Sequence, residues 1–273
     1  MAGQMRLANR RAVVTGAASG IGRAIAVSLA RRRCHLALAD VNEAGLAKTA
    51  EMTAGYGLRV TCHRLDVSDA AAVAAFPDVV RAEHPRLDVL VNNAGVALGG
   101  QFEHLSDDDF EWLFGINFRG MVRMTRAFLP LLKTSDEARL VNLSSVFGLV
   151  APPGQTAYAA SKFAVRGFSE SLRQELKGTR VGVTVVYPGG VATSIAAKAR
   201  MGAGISPEEA AQGRAAFEKA LRLPPAVAGE TIVKGIERRQ ASVLVGSDAH
   251  LISLVERLAT VSSWSIIERL RPK

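Results

Sequence analysis

Three side chains in the middle of the sequence are of types that together can transfer a proton. Tyr158 and Lys162 are four residues apart in a segment with helical spacing, so they lie on one face of the expected helix. A free phenol titrates near pH ~10, and a neighbouring ammonium stabilises the phenolate and lowers that pKa. Ser145, after a short apolar run, adds a hydroxyl that can bind a substrate oxygen. The three residues predict a proton-transfer site, although a tyrosine with lysine four residues later is, taken alone, more often a surface pair.

A glycine-rich turn near the amino terminus has the spacing of a phosphate-binding loop. The stretch Thr15-Gly16-Ala17-Ala18-Ser19-Gly20-Ile21-Gly22 lies between an apolar strand pattern and a helical one. Gly16 permits the tight turn, Gly20 lets the backbone approach a pyrophosphate, and Gly22 lets the helix pack closely on the strand. The start of that helix then faces the phosphates. The turn predicts a dinucleotide site that includes Ser19 and Ile21.

An acid at the end of the second expected strand indicates which dinucleotide binds. Asp40 stands 18 residues after Gly22, where a carboxylate can hydrogen-bond both ribose hydroxyls of an adenosine. A 2′-phosphate would meet negative charge there, and neither Ser19 nor Val41 is a basic residue that could attract it. We therefore predict NAD rather than NADP. The structural alternative is that Asp40 only caps the next helix.

The elements that must position these residues alternate regularly between strand and helix. Short runs rich in Val and Leu predict strands at Ala12–Thr15, Leu36–Ala39, Arg59–Leu65, Val89–Val91, Leu140–Leu143, Val181–Tyr187 and Ser242–Val245. Helical spacing covers about 20–32, 42–54, 69–83, 107–133, 156–177, 207–221 and 225–239. This alternation predicts an α/β fold with a doubly wound parallel sheet of about seven strands in a single domain, residues 1–273.

Composition bounds the class of protein. With 273 residues, 48% hydrophobic and 22% charged, the chain is expected to fold as one globular domain. No stretch suits a signal peptide or a spanning helix, and Cys34 and Cys62 stand outside any metal-binding pattern, so we expect a soluble cytoplasmic protein with free thiols and no metal. The net charge of +9 admits an anionic partner, but basic residues cluster only briefly and aromatic residues make up 5%, so nucleic acid is not expected.

Several motifs occur together in a characteristic order. They are Thr15–Gly22, Asn92-Asn93-Ala94-Gly95, Ser145, Tyr158 with Lys162, and Pro188-Gly189-x-Val191-x-Thr193. This ordered set resembles the classical short-chain dehydrogenase/reductase family over about residues 10 to 194. The resemblance implies a Rossmann fold, a nicotinamide cofactor, and hydride transfer between an alcohol and a ketone or aldehyde with Tyr158 as general acid/base. The alternative is an NAD-binding sensor or scaffold without catalysis.

The resemblance also implies roles for further residues. Asp66 and Val67 are expected to contact the adenine, and Asn93, Ala94 and Gly95 to support the sheet beside the adenosine ribose. Pro188, Gly189, Val191 and Thr193 are expected to hold the nicotinamide end, and Lys162 the nicotinamide ribose. Asn117 is expected to order a water that passes the proton outward from Lys162, although an asparagine within a helix is more often a packing or surface residue.

The last third of the sequence carries fewer signals. Residues 190–223 contain scattered apolar residues, which fits either a lid over a hydrophobic alcohol or carbonyl substrate or a helix pair packed on the sheet edge. Residues 248–273 are an amphipathic extension, with apolar residues from Leu251 onward. We expect it to contact another subunit of a homodimer or homotetramer. Covering the substrate mouth, or peripheral membrane contact helped by Arg269, Arg271 and Lys273, are the alternatives.

Overall fold

The computed structural model describes residues 4–270, and its centre is a parallel β-sheet. The strands are β1 Arg11–Thr15, β2 His35–Asp40, β3 Val60–Arg64, β4 Val89–Asn92, β5 Leu98–Gly99, β6 Ala138–Leu143, β7 Val181–Pro188, β8 Arg200–Met201 and β9 Ser242–Val245. Seven of them form one sheet in the order β3-β2-β1-β4-β6-β7-β9. The order reverses between β1 and β4, so the crevice at their carboxyl ends is the expected binding edge of a doubly wound sheet.

Helices cover both faces of this sheet. They are α1 Gly20–Arg31, α2 Glu43–Glu51, α3 Ala70–Glu83, α4 Asp107–Phe114, α5 Met121–Lys133, α6 Thr156–Glu175, α7 Pro207–Ala220, α8 Pro225–Glu237, α9 Ser247–Leu258 and α10 Ser263–Leu270. One hydrophobic layer joins α1, α2 and α8 to the sheet, and a second joins α3, α5 and α6 to the opposite face. Within β1, Val14 faces the first layer and Val13 the second, which explains why the strand sequences are continuously apolar. The prediction of a single-domain, Rossmann-type α/β fold is confirmed.

The expected helix over 107–133 is interrupted. Residues Gly115–Gly120 form a π-helical turn between α4 and α5. Gly120 of this turn packs closely on Val67, and a Cβ on Gly120 would lie 2.8 Å from the Cγ2 atom of Val67. A π turn accommodates one additional residue in a helix, and such turns occur frequently at functional sites. Apolar spacing could not reveal it, because the residues on both sides keep helical periodicity.

Two features outside the main sheet also differ from the expected form. Two short strands, β5 and β8, pair with each other outside the main sheet. The amphipathic extension is two helices, α9 and α10, with a break at residues 259–262, and its basic residues Arg271 and Lys273 lie outside the described part of the chain. Within residues 4–270, none of the helices combines the length and apolarity needed to cross a membrane. Both cysteines are free, Cys34 buried and Cys62 exposed.

Candidate functional site

The turn between β1 and α1 has the geometry of an anion site. Ser19 is the residue before α1, has an extended backbone, and its side chain caps none of the helix N–H groups. The first N–H groups of a helix have no partner within the helix, so those of Gly20, Ile21 and Gly22 are available to an anion. Gly16 has φ +65°, and a Cβ on Gly22 would lie 2.1 Å from the carbonyl oxygen of Gly16. The glycines are therefore required by a close backbone approach, and the free donors suit a pyrophosphate.

Asn93 braces this turn from the end of β4. Its amide nitrogen donates to the carbonyl oxygens of Thr15 (2.9 Å) and Gly16 (3.1 Å), and its backbone N–H donates to the Thr15 hydroxyl at 3.0 Å. The N–H of Ala94 donates to the same hydroxyl at 3.1 Å. The structure thus brings the Asn93 motif and the glycine motif together as a single support.

Asp40 lies at the end of β2, beside the same turn. Its carboxylate accepts from the N–H of Ala18 and from the N–H of Asn42, each at 3.0 Å. Asn42, not Asp40, caps α2 by accepting from the N–H of Gly45 at 3.0 Å, so the capping alternative does not describe Asp40. The strand register also places Arg64 beside Asp40. The sequence interpretation missed this cation, because it considered only Ser19 and Val41; Val41 itself is 56% exposed.

Asp66 and Val67 follow β3 at this edge of the sheet. The Asp66 carboxylate accepts from the N–H and the hydroxyl of Ser68, at 2.8 and 2.7 Å. Val67 is buried against Gly120 of the π turn. Both residues are thus at the carboxyl ends of the strands, as the resemblance requires, and their contact with an adenine remains a prediction.

Ser145, Tyr158 and Lys162 come together at the carboxyl end of β6. All three are buried, with 9%, 7% and 6% of their surface exposed. The Ser145 hydroxyl hydrogen-bonds the phenol of Tyr158 and accepts from the N–H of Phe147 at 3.1 Å. The Lys162 ammonium donates to the carbonyl of Leu143 at 3.2 Å and lies 5.6 Å from the centre of the Tyr158 ring. The three side chains that were predicted to cooperate share one buried site.

Burial controls the titration of this group. It raises the pKa of Tyr158 to about 12, an effect only partly offset by the hydrogen bond from Ser145. It also lowers the pKa of Lys162 to about 8. The sequence predicted that the ammonium would lower the pKa of the phenol. In the protein alone desolvation determines the direction of both pKa shifts, because the low dielectric disfavours the charged forms of the phenol and of the lysine.

Asn117 lies in the π turn and reaches toward the same site. Its amide oxygen accepts from the N–H of Val96 at 2.8 Å, and its amide nitrogen donates to the carbonyl of Val96 and to the hydroxyl of Ser161, at 3.0 and 3.3 Å. A Cβ on Gly95 would lie 3.2 Å from that amide oxygen and 3.6 Å from the Lys162 nitrogen. The side chain therefore braces the backbone beside Lys162, while its expected role in ordering a water remains a prediction.

The turn after β7 lies at the same edge. Pro188 ends the strand, and the N–H of Gly189 donates to the carbonyl of Val245 at 2.9 Å. Val191 is buried and pairs with Leu223. Thr193 approaches the phosphate turn, since a Cβ on Gly20 would lie 3.0 Å from its methyl carbon. Thr193 thus lies beside the phosphate turn, and the contact of these residues with the nicotinamide end remains a prediction.

Residues 190–223 cover this edge and are anchored to α4. Arg200 pairs with the buried carboxylate of Asp109 at 2.9 Å and stacks 5.1 Å above the ring of Trp112. A cavity of about 710 Å³ begins at Ser19 and Gly20, where Thr193 also lines it, and runs along α1 to Arg31. A second cavity of about 210 Å³ lies under the segment. Its lining includes Ala97, Leu98, Gln155, Met201 and Phe217, and several of these pack in one apolar cluster with Tyr158.

Comparison with known proteins agrees with this geometry. The family model for short chain dehydrogenases matches residues 10–203. A protein of Mycobacterium tuberculosis named as an oxidoreductase, SadH, is 43% identical over 250 residues, which cover 90% of each chain. The chain belongs to the short-chain dehydrogenase family and is an NAD(P)-dependent oxidoreductase.

Solved structures show the same fold with bound dinucleotides. A short-chain dehydrogenase/reductase of Burkholderia phymatum in complex with NAD superposes with a TM-score of 0.84 at 31% identity and covers 98% of both chains. An alcohol dehydrogenase of Thermococcus sibiricus complexed with 5-hydroxy-NADP gives a TM-score of 0.74 at 28% identity, over 86% of this chain and 95% of its own. The neighbours support a nicotinamide cofactor and include both dinucleotide types.

Proposed function

We propose that the protein interconverts a hydrophobic alcohol and the corresponding ketone or aldehyde, with NAD as the hydride carrier and Tyr158 as the general acid/base. The observation that carries this proposal is the buried group Ser145, Tyr158 and Lys162 at the same sheet edge as the phosphate turn. Bound nicotinamide would supply or accept the hydride. The chain itself then needs only to orient the substrate oxygen and to exchange one proton.

Each side chain of the group has a distinct part in that exchange. Ser145 would hydrogen-bond the substrate oxygen. The Tyr158 phenolate would take up the alcohol proton in oxidation, and the resulting phenol would return that proton in reduction. Lys162 would hold the nicotinamide ribose and favour the phenolate. Since burial raises the pKa of Tyr158 to about 12 in the protein alone, the positive charge of oxidised nicotinamide is needed to lower that pKa toward neutrality. Asn117 would order a water that passes the proton outward from Lys162, and its two hydrogen bonds to the backbone of Val96 fix its amide group beside that site.

The choice of NAD rests on Asp40. Its carboxylate lies beside the phosphate turn, where it would bind ribose hydroxyls and repel a 2′-phosphate. Arg64 on the neighbouring strand is the feature that favours NADP. The carboxylate is fixed by two backbone N–H groups, and this support is the reason for preferring NAD.

A hydrophobic substrate is proposed from the cavity near Tyr158. Leu98, Met201 and Phe217 contribute apolar surface to it, and Gln155 a polar group. Residues 190–223 would act as the lid, anchored by Arg200 and closing over this cavity. Most ligand pockets combine an apolar lining with a few polar groups in this manner.

We further propose a homo-oligomer with the extension 248–273 at a subunit contact. Leu251, Leu254, Leu258 and Val261 are 49%, 55%, 79% and 101% exposed, an apolar surface that a second subunit would cover. Light scattering of the purified protein checks this. We expect a molar mass of two or four chains, and a mass of one chain would contradict the oligomer.

The decisive test of the activity is Tyr158→Phe, which removes only the hydroxyl. Turnover of a hydrophobic alcohol, followed by NADH absorbance, is expected to fall by a factor on the order of 10² to 10⁴, while NADH binding stays near normal. Tyr56→Phe, a half-buried tyrosine outside the site, is the control and should leave both unchanged. Equal turnover of wild type and Tyr158→Phe would end the proposal. NADH binding by a wild type that turns over no member of an alcohol panel would favour the sensor alternative.

A further inference from the structure

The carboxyl-terminal extension contacts the turn after β7 through one carboxylate. Asp248 is the second residue of α9, and α9 follows β9 directly. Because β7 and β9 are parallel and Pro188 is in register with Val245, the chains leaving the two strands run side by side. Asp248 therefore stands beside the residues that follow Pro188, although 58 positions separate it from Gly190.

The contact between Asp248 and this turn is specific. One carboxylate oxygen accepts from the N–H of Gly190 at 2.7 Å, and the other accepts from the N–H of Ala249 at 2.9 Å. A Cβ on Gly189 would lie 2.2 Å from both carboxylate oxygens. The carboxylate can occupy this position only because residue 189 has no side chain.

Gly190 also fixes both ends of residues 190–223. The carbonyl of Gly190 accepts from the N–H groups of Arg222 and Leu223, each at 2.8 Å. Asp248 holds the N–H of Gly190, and the returning chain holds its carbonyl. The segment thus leaves the sheet and returns to it at one residue, whose orientation depends on Asp248.

We propose that Asp248 is a positioning residue that sets the Pro188–Gly190 turn and, through it, the seating of residues 190–223. The part of the proposal that concerns the nicotinamide end rests on the proposed function, whereas the part that concerns the 190–223 segment does not. Loss of the carboxylate would free the N–H of Gly190 and loosen both the Pro188–Gly190 turn and the 190–223 segment. The extension thereby contributes to the site without touching substrate.

A pair of substitutions separates this role from a general effect at a helix start. Asp248→Ala removes both acceptors, whereas Asp248→Asn keeps an acceptor for Gly190 and removes the charge and the acceptor for the N–H of Ala249. An acid that merely stabilises the start of α9 would be lost equally in both variants. Asp107→Ala, an exposed acid in the first turn of α4, is the matched control.

Two readouts test the proposal, limited trypsin cleavage within residues 190–223 and the NADH dissociation constant from fluorescence. The segment offers Lys198, Arg200, Arg214, Lys219 and Arg222 as cleavage sites. For Asp248→Ala we expect the cleavage rate and the NADH dissociation constant each to rise about three- to tenfold. This is the effect of one lost charge-assisted hydrogen bond at an exposed position. Asp248→Asn and Asp107→Ala should stay within about twofold of wild type, since the first keeps the bond and the second never made it.

The outcomes are distinguishable. Wild-type cleavage of Asp248→Ala would overturn the proposal, and so would equal effects of Asp248→Ala and Asp248→Asn. Gly189→Ala provides an independent check, because its methyl group should be tolerated better when Asp248 is also alanine. Additive effects of these two substitutions would contradict the contact. If NADH fails to bind the wild type, the proposed function fails, and the cleavage rates still decide the role of Asp248.

Discussion

Two glycine-containing turns lie at the same edge of the sheet, and they are held in different ways. The phosphate turn after β1 is supported by its own glycines and by Asn93 on a neighbouring strand. The turn after β7 is supported by Asp248 and by the chain returning at Leu223. The first turn therefore depends mainly on the glycines of one short motif, with Asn93 as a remote support, whereas both supports of the second turn are remote in sequence. This difference explains why glycine spacing indicated the first turn, whereas the support of the second turn by Asp248 and Leu223 left no local pattern in the sequence.

The largest effect is expected when the first turn is blocked. In Gly22→Ala the new methyl would lie 2.1 Å from the carbonyl oxygen of Gly16 and 2.5 Å from the amide of Asn93, so the backbone must shift. We expect a loss of about 1–3 kcal/mol in the free energy of unfolding and a roughly 10²-fold weaker binding of NADH. Denaturant unfolding and NADH fluorescence measure the two. Gly55→Ala, where a Cβ meets nothing within 4 Å, is the control. Normal NADH affinity in Gly22→Ala would show that the turn is not held by close contact.

A smaller effect is expected at the acid beside that turn. Asp40→Ala should narrow the preference for NAD over NADP by about tenfold, equivalent to about 1.4 kcal/mol, because the repulsion of a 2′-phosphate is removed. Asp40→Asn retains an acceptor for the N–H of Ala18 and loses the charge, so an equal change in both variants would assign the preference to charge. The measurement is kcat/KM with each dinucleotide. A wild-type enzyme that already prefers NADP would refute the assignment.

The smallest effect concerns the contact between α1, which follows the phosphate turn, and α8, which follows the 190–223 segment. Arg32, which follows α1, pairs with Glu230 of α8 at 2.9 Å, and its hydrogen bond lowers the pKa of Glu230 to about 2. An unfolded glutamate titrates near ~4.3, so the unfolded chain binds more protons between about pH 4.3 and 2. The stabilisation is complete above that window and is lost as the pH falls through it.

Glu230→Gln should therefore flatten the acid side of a plot of Tm against pH. The difference should be below about 1 kcal/mol, because the pair is partly exposed. Glu51→Gln, an exposed glutamate at the end of α2, is the control. If the Tm of Glu230→Gln falls at low pH as steeply as that of the wild type, the ion pair does not contribute to the stability of the contact between the two helices.

The sequence predicted the parts of the fold that depend on short-range patterns. Continuous apolar runs identified the central strands of the main sheet, since strands buried on both faces favour apolar residues. Glycine spacing identified the turn at Gly16 to Gly22, and helical spacing identified the shared face of Tyr158 and Lys162. The order of these motifs was sufficient for the family.

Other features could not be predicted because they arise only when distant segments meet. The register of β2 and β3 brings Arg64 to Asp40, and no spacing rule gives that register. The π turn around Asn117 preserves the periodicity on both sides and leaves no pattern to detect. The direction of the pKa shift of Tyr158 depends on burial, which a neighbouring lysine in the sequence does not reveal. Asp248 gave no signal, because an acid after a strand and a glycine is common.

The meeting of both ends of one long loop at the Gly190 peptide has an evolutionary consequence. Insertions or deletions between Ser194 and Arg222 would leave the two attachment points and the strand order unaltered, and would leave Thr193 beside the phosphate turn. The length of this excursion can therefore change while the sheet and the two attachment points stay constant.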